Sequence, residues 1–133
     1  VPINCDELLA FARDCVERDD EVGYRNAISR AYYSAYHSVY PVLDNGPKDS
    51  HQGLIDYLKS DAWRGNEKYE KQTLIAIAYM LKSLKDSRII ADYRLEASEG
   101  VSKHNAEESV ELASRVHSKV SEMTSLKLSS LSK

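Results

Sequence analysis

The chain has 133 residues, is 42% hydrophobic and 29% charged, and carries a formal net charge of −3 from 18 Lys+Arg against 21 Asp+Glu. That is one ordinary domain, long enough to bury a core without disulfide or metal staples, and neither disordered nor collagenous in composition. A sequence pI near 5.8 excludes a uniformly basic nucleic-acid coat and leaves room for a local basic pocket.

No apolar run approaches the roughly 20 residues of a membrane span. The start, Val-Pro-Ile-Asn-Cys-Asp, has neither the basic region nor the apolar stretch of a signal peptide. Cys5 and Cys15 fall on one predicted helix, about 15 Å apart at Cα, beyond disulfide reach. Both are expected as reduced, packing thiols of a cytoplasmic protein.

Asn4 and Glu7 make a capping box for a first helix over about 5–19, with Cys5, Leu8, Leu9, Ala12, Cys15 and Val16 as its apolar stripe. A second helix runs from Val22 or Tyr24 to Leu43, where Asp44-Asn45-Gly46-Pro47 ends it. Ser50 caps a short third helix reaching about Lys59, followed by a loop over 60–66. A fourth spans about Glu67 to Tyr93, its stripe Leu74, Ile77, Leu81 and Leu84 continued in register by Arg88. After Gly100, Ser102 caps a fifth helix with the stripe Ala106, Val110, Ala113, Val116, Val120 and Met123. Residues 126–133 are expected to fray. No strand pattern, internal repeat or low-complexity segment occurs. The whole chain, 1–133, therefore reads as one all-α domain: an antiparallel up-and-down bundle of four long helices and one short one.

The second helix is the most informative segment, because five of the nine tyrosines fall between Tyr24 and Tyr40. At 100° per residue, Tyr24, Ile28, Ala31, Tyr32, Ala35 and Val39 form its core face. Asn26, Arg30, Tyr33, His37 and Tyr40 gather opposite. Arg30 and His37 stand seven positions apart and align within about 20°. Imidazole moves protons near neutral pH and guanidinium grips phosphate oxygens, so the pair suits phosphodiester chemistry. An Arg-x(4–6)-His match arises by chance about 0.7 times in a chain with this many Arg and His. A solvated or subunit-contacting polar face therefore stands beside the chemical reading.

The words around these residues are more specific. Asn26-Ala-Ile-Ser-Arg30-Ala-Tyr32-Tyr33-Ser-Ala-Tyr36-His37 resembles the second-helix signature of the HEPN superfamily, in its R-A-Y-Y-A-A-F-H branch. Ser50-His51-Gln52-Gly53-Leu54-Ile55 is similar to the short S/T-H-x-G-apolar segment that follows. Leu84-Lys85-Asp86-Ser87-Arg88-Ile89-Ile90-Ala91-Asp92-Tyr93 is similar to the L-x-x-x-R-x-x-A-D-Y closing the fourth helix. The three occur in the family's order.

The resemblance implies a bundle that dimerises. It also implies a metal-independent endoribonuclease of a toxin or phage-defence system, with the Arg-x6-His pair acting in a cleft shared by two protomers. Arg30 and His37 are the only pair in the chain that fits. His37 is then the proton-transfer residue and Arg30 the group that stabilises charge on phosphorus. Asn26, Tyr33, Tyr40, His51, Arg88 and Asp92 are the supporting or substrate-binding candidates. Asp92 is expected to hold Arg88 or Arg30, Arg88 being its i,i+4 neighbour.

No cofactor is implied, and no metal ligands show in the spacing of the four histidines. His104 and His117 are expected on the surface. The implied partners are a second copy, RNA, and a cognate antitoxin or partner protein, with no membrane. Two departures keep an alternative open, a non-catalytic HEPN module that binds a nucleotide or a protein. Ala31 follows Arg30 where many active ribonucleases have a polar residue, and the best-known catalytic pairs lie on a later helix.

Overall fold

A computed structural model describes residues 3–131 of the chain. Its helices are α1 (Cys5–Glu17), α2 (Glu21–Val39), α3 (His51–Ser60), α4 (Lys71–Tyr93) and α5 (Lys103–Leu131), with 3₁₀ turns at Tyr40–Val42 and Ala62–Arg64. Among the described residues there is no strand, and the helices pack as a bundle, as expected. The backbone of α5 is helical through Leu131. The rest of the tail expected to fray lies outside the described residues.

Each start follows its cap. The Asn4 carboxamide accepts the Glu7 N–H at 2.9 Å, and the Ser50 hydroxyl accepts the Gly53 N–H at 2.8 Å. Ser102 and Asn105 bond reciprocally at the start of α5, a capping box built with Asn at its third position.

The ends differ from expectation in three places, each with a cause. Helix α1 stops two residues early because Asp19 turns left-handed (φ 59°), after which Asp20 caps α2 through the Gly23 N–H at 2.8 Å. Helix α2 stops at Val39 because Pro41 has no N–H to continue the ladder, and the chain tightens into a 3₁₀ turn. Helix α4 starts at Lys71 instead of Glu67. The buried Glu67 carboxylate is turned inward, accepting the N–H groups of Asp44 and Asn45 and the Tyr57 hydroxyl.

Helix α2 is the centre of the bundle and packs against α1, α4 and α5, while α3 lies on α4. Its small residues Ala27, Ala31, Ser34, Ala35 and Ser38 are all buried and let neighbouring helices approach closely. The stripes of α4 and α5 named above are buried as expected. A fully buried Leu or Ile contributes about 1.5–3 kcal/mol over its exposed state, which turns marginal single helices into a stable bundle. Helices α1 and α2 pack tightly at Gly23, since a Cβ there would sit 2.4 Å from the Cys15 carbonyl oxygen.

Candidate functional site

Packing on three sides leaves α2 one open strip. Along it Arg30 and Tyr33 are half-buried, and His37 is exposed. Tyr33 organises the strip. The guanidinium carbons of Arg30 and of Arg88 from α4 lie 5.2 and 4.9 Å from its ring centroid. The His37 ring stacks beside it at 6.4 Å with 19° between the planes. Arg30 and His37 thus meet through Tyr33.

Arg88 is fixed from both ends of its fork. Its Nη2 donates to the Tyr33 hydroxyl at 2.7 Å and its Nε to Asp92 at 3.1 Å. The same Asp92 oxygen accepts the Ser29 hydroxyl at 3.1 Å. Of the two guanidinium groups, the carboxylate holds that of Arg88, which is only 14% exposed, and Arg30 rests on the ring.

His51 enters from the first residue of α3. Its ring centroid is 4.3 Å from that of Tyr36 and 6.3 Å from that of Tyr33, and its Nδ1 is 2.6 Å from the Tyr32 hydroxyl. Burial, then the positive charges of Arg88, Lys85 and His37, push the imidazole below its ordinary value. Burial pushes the Tyr32 phenol up, and a phenol, a stronger donor than acceptor, donates to Nδ1 of the neutral ring. His51 is then a neutral ring carrying its own proton on Nε2. Lys85 bonds Gln52 at 2.9 Å nearby, and Tyr40 stacks on Tyr36 at 6.0 Å with 7° between the planes.

Asn26 does not join this group. Its amide donates to the Val22 carbonyl at 2.8 Å, and it borders a separate groove with Phe11 and Cys15. The rest combine cationic groups, an imidazole with a free N–H, an exposed imidazole and aromatic faces. Those are the elements that grip a phosphate, stack a base and move a proton.

A family model for the HEPN domain matches residues 6–123. The chain belongs to the HEPN domain family. Comparison with curated proteins and with solved structures gives no match. In this HEPN domain the sequence expectations bring Arg30, Tyr33, His37, Tyr40, His51, Arg88 and Asp92 into one neighbourhood and miss several of its members. Tyr32 belongs to the core face and is fully buried, yet its hydroxyl makes a polar contact with His51. Tyr36, Ser29 and Lys85 were not singled out. The i,i+4 step from Tyr32 to Tyr36 and the i,i+3 step from Lys85 to Arg88 were the available signals.

His117 corrects an expectation. Its side chain is 15% exposed, enclosed against α2, where the Ser34 hydroxyl lies 2.8 Å from its Nε2. His104 is exposed as expected and pairs with Glu108. No helix among the described residues is long and apolar enough to cross a membrane.

Proposed function

We propose that this HEPN domain is a metal-independent endoribonuclease that works as a homodimer, in a cytoplasmic toxin or phage-defence system. One observation carries the reading: Arg30, His37, His51 and Arg88 all gather around the ring and hydroxyl of Tyr33.

On this reading the exposed His37 takes the proton of a ribose 2′-OH as that oxygen attacks phosphorus. The P–O5′ bond breaks, and the leaving oxygen receives a proton from His37 of the partner subunit. The products are a 2′,3′-cyclic phosphate and a 5′-hydroxyl. Arg30 neutralises charge building on the phosphoryl oxygens. Arg88, tied to Asp92, is a positioning residue that fixes Tyr33, and the Nε2–H of His51 is a donor for a phosphate oxygen.

The test is cleavage of total RNA and a tRNA pool in EDTA by wild type, Arg30→Ala and His37→Ala, with sedimentation reporting the dimer. Discrete cleavage by wild type is expected, with each variant about 10²–10⁴-fold slower at unchanged helix content. A second reading is a non-catalytic HEPN module that binds a nucleotide or a partner protein such as an antitoxin. It is favoured by the occupation of the Arg88 fork by Asp92 and Tyr33 and by the net charge of −3. Intact RNA in every lane, with a folded dimer, selects it. Conversion of the dimer to monomer by substitutions in the strip assigns that face to subunit contact.

A further inference from the structure

A groove of about 610 Å³ between α1, the end of α2 and α5 is bordered by Cys5, Asp6, His37 and His117. The Cys5 sulfur, a carboxylate oxygen of Asp6 and a ring nitrogen of His117 lie within 4.8 Å of one another. These ligand types come from opposite ends of the chain, so no local spacing announces them.

Hydrogen bonding decides how the His117 ring is protonated. The Ser34 hydroxyl donates to the Cys5 carbonyl at 2.6 Å, which commits its proton. The Nε2 of His117 lies 2.8 Å from that hydroxyl oxygen and 3.3 Å from the Ser34 carbonyl oxygen. Both are acceptors towards it, so Nε2 carries the ring proton. Nδ1 faces Asp6 Oδ1 at 3.3 Å, and in the neutral ring it faces it with a lone pair. A lone pair, a carboxylate and a sulfur then converge, with the weak S–H of Cys5 the one donor among them. An imidazolium would satisfy Asp6 alone and leave Cys5 unused; a metal cation satisfies all three.

We propose that Cys5, Asp6 and His117 bind one divalent transition-metal ion, with Zn²⁺ the best match to a thiolate, imidazole and carboxylate set. Ser34 plays the part of the outer group that fixes the ring of a ligating histidine. Tetrahedral zinc spaces its ligand atoms about 3.2–3.6 Å apart. Closure therefore needs movements of about 1 Å, and the Asp6 side chain, 84% exposed, is free to make them. The Cys5 thiol proton leaves to solvent on binding, and water from the groove completes four-coordination. The ion pins the first turn of α1 to α5. This site is independent of the ribonuclease reading.

Chelator-stripped protein titrated with Co²⁺ tests it. One equivalent should raise a sulfur-to-cobalt charge-transfer absorption that Zn²⁺ abolishes, and Tm should climb with Zn²⁺ concentration. Cys5→Ser should remove the absorption and weaken Zn²⁺ binding at least tenfold, with a similar loss for His117→Gln. Ser34→Ala should weaken binding about tenfold. His37→Ala, which removes a groove residue outside the three ligands, should keep the absorption. Wild type with no absorption and a constant Tm overturns the proposal, as does equal Zn²⁺ binding by wild type and Cys5→Ser. Should His117→Gln fail to fold, Cys5→Ser decides alone, since Cys5 lies in the first turn of α1 and its carbonyl contact survives the change.

Discussion

The hydroxyl of the fully buried Tyr32 stands 2.6 Å from Nδ1 of His51, in an enclosure where burial and then the charge of Arg88 disfavour the protonated ring. The folded value of His51 lies below its ordinary 6.5. As pH falls from about 6.5, the unfolded chain takes up this proton before the folded one does, so stability is lost through that window. His51→Asn retains an acceptor for Tyr32 and removes the titration. Urea denaturation between about pH 7 and pH 5 should show a shallower loss for the variant than for wild type. Parallel curves would exclude His51 as a source of the pH dependence.

Arg88 and Tyr33 should behave as a unit. Arg88→Ala leaves Asp92 in a half-buried position with only the Ser29 hydroxyl, at a cost of about 2–3 kcal/mol, reduced from the fully buried case by partial exposure. Tyr33→Phe removes one hydrogen bond, about 0.5–1.5 kcal/mol. Because the two groups bond directly at 2.7 Å, the double variant should show a coupling of more than about 0.5 kcal/mol. Additive losses in chemical denaturation would mean that the bond is not maintained in solution.

How far these contacts could be read from the sequence follows from their range. Helix caps and apolar stripes are local, so Asn4, Ser50, Ser102 and the stripes of α4 and α5 were legible, and the bundle with them. In the Tyr33 neighbourhood the α2 face of Arg30, Tyr33, His37 and Tyr40 was legible from helical spacing, while the three family words were needed to join His51 and Arg88 to it. Contacts that join distant segments through buried polar atoms left no periodic trace. Ser34 with His117 is one case, separated by 83 positions. Glu67 is another: its position predicts the start of a helix, and its carboxylate instead accepts the N–H groups of Asp44 and Asn45, more than twenty positions away, and the Tyr57 hydroxyl.

Arg25 is the largest such omission. From the second turn of α2 its fork donates to the carbonyl oxygens of Ile90, Ala91, Arg94, Leu95 and Ala97 at 2.8–3.3 Å. These carbonyls belong to the last turn of α4 and the turn beyond it, where those of Ile90 and Arg94 also accept the N–H groups of Arg94 and Ala97. Lysine brings a single ammonium with three donors and no planar fork. Arg25→Lys should therefore cost about 2–4 kcal/mol in denaturation. Amide exchange should accelerate most over 90–97, ahead of the rest of α4. Uniform acceleration along the chain would mean that Arg25 supports the whole bundle and not this corner.

Lys85 links the electrostatics of the site to its proposed ligand. Its charge is one of the causes holding the His51 imidazole below its ordinary value, after burial and Arg88. Replacing it with glutamine removes that repulsion of the protonated ring without touching the Tyr32 contact. Proton NMR titration of Lys85→Gln should therefore move the His51 midpoint upward. On the ribonuclease reading the same change removes one cation from the phosphate path. Affinity for a non-cleavable RNA should fall severalfold, and the magnitude of the salt-dependence slope should drop by about one. A raised His51 midpoint with unchanged RNA affinity would keep Lys85 in the electrostatics of the ring and place the RNA backbone elsewhere on the domain.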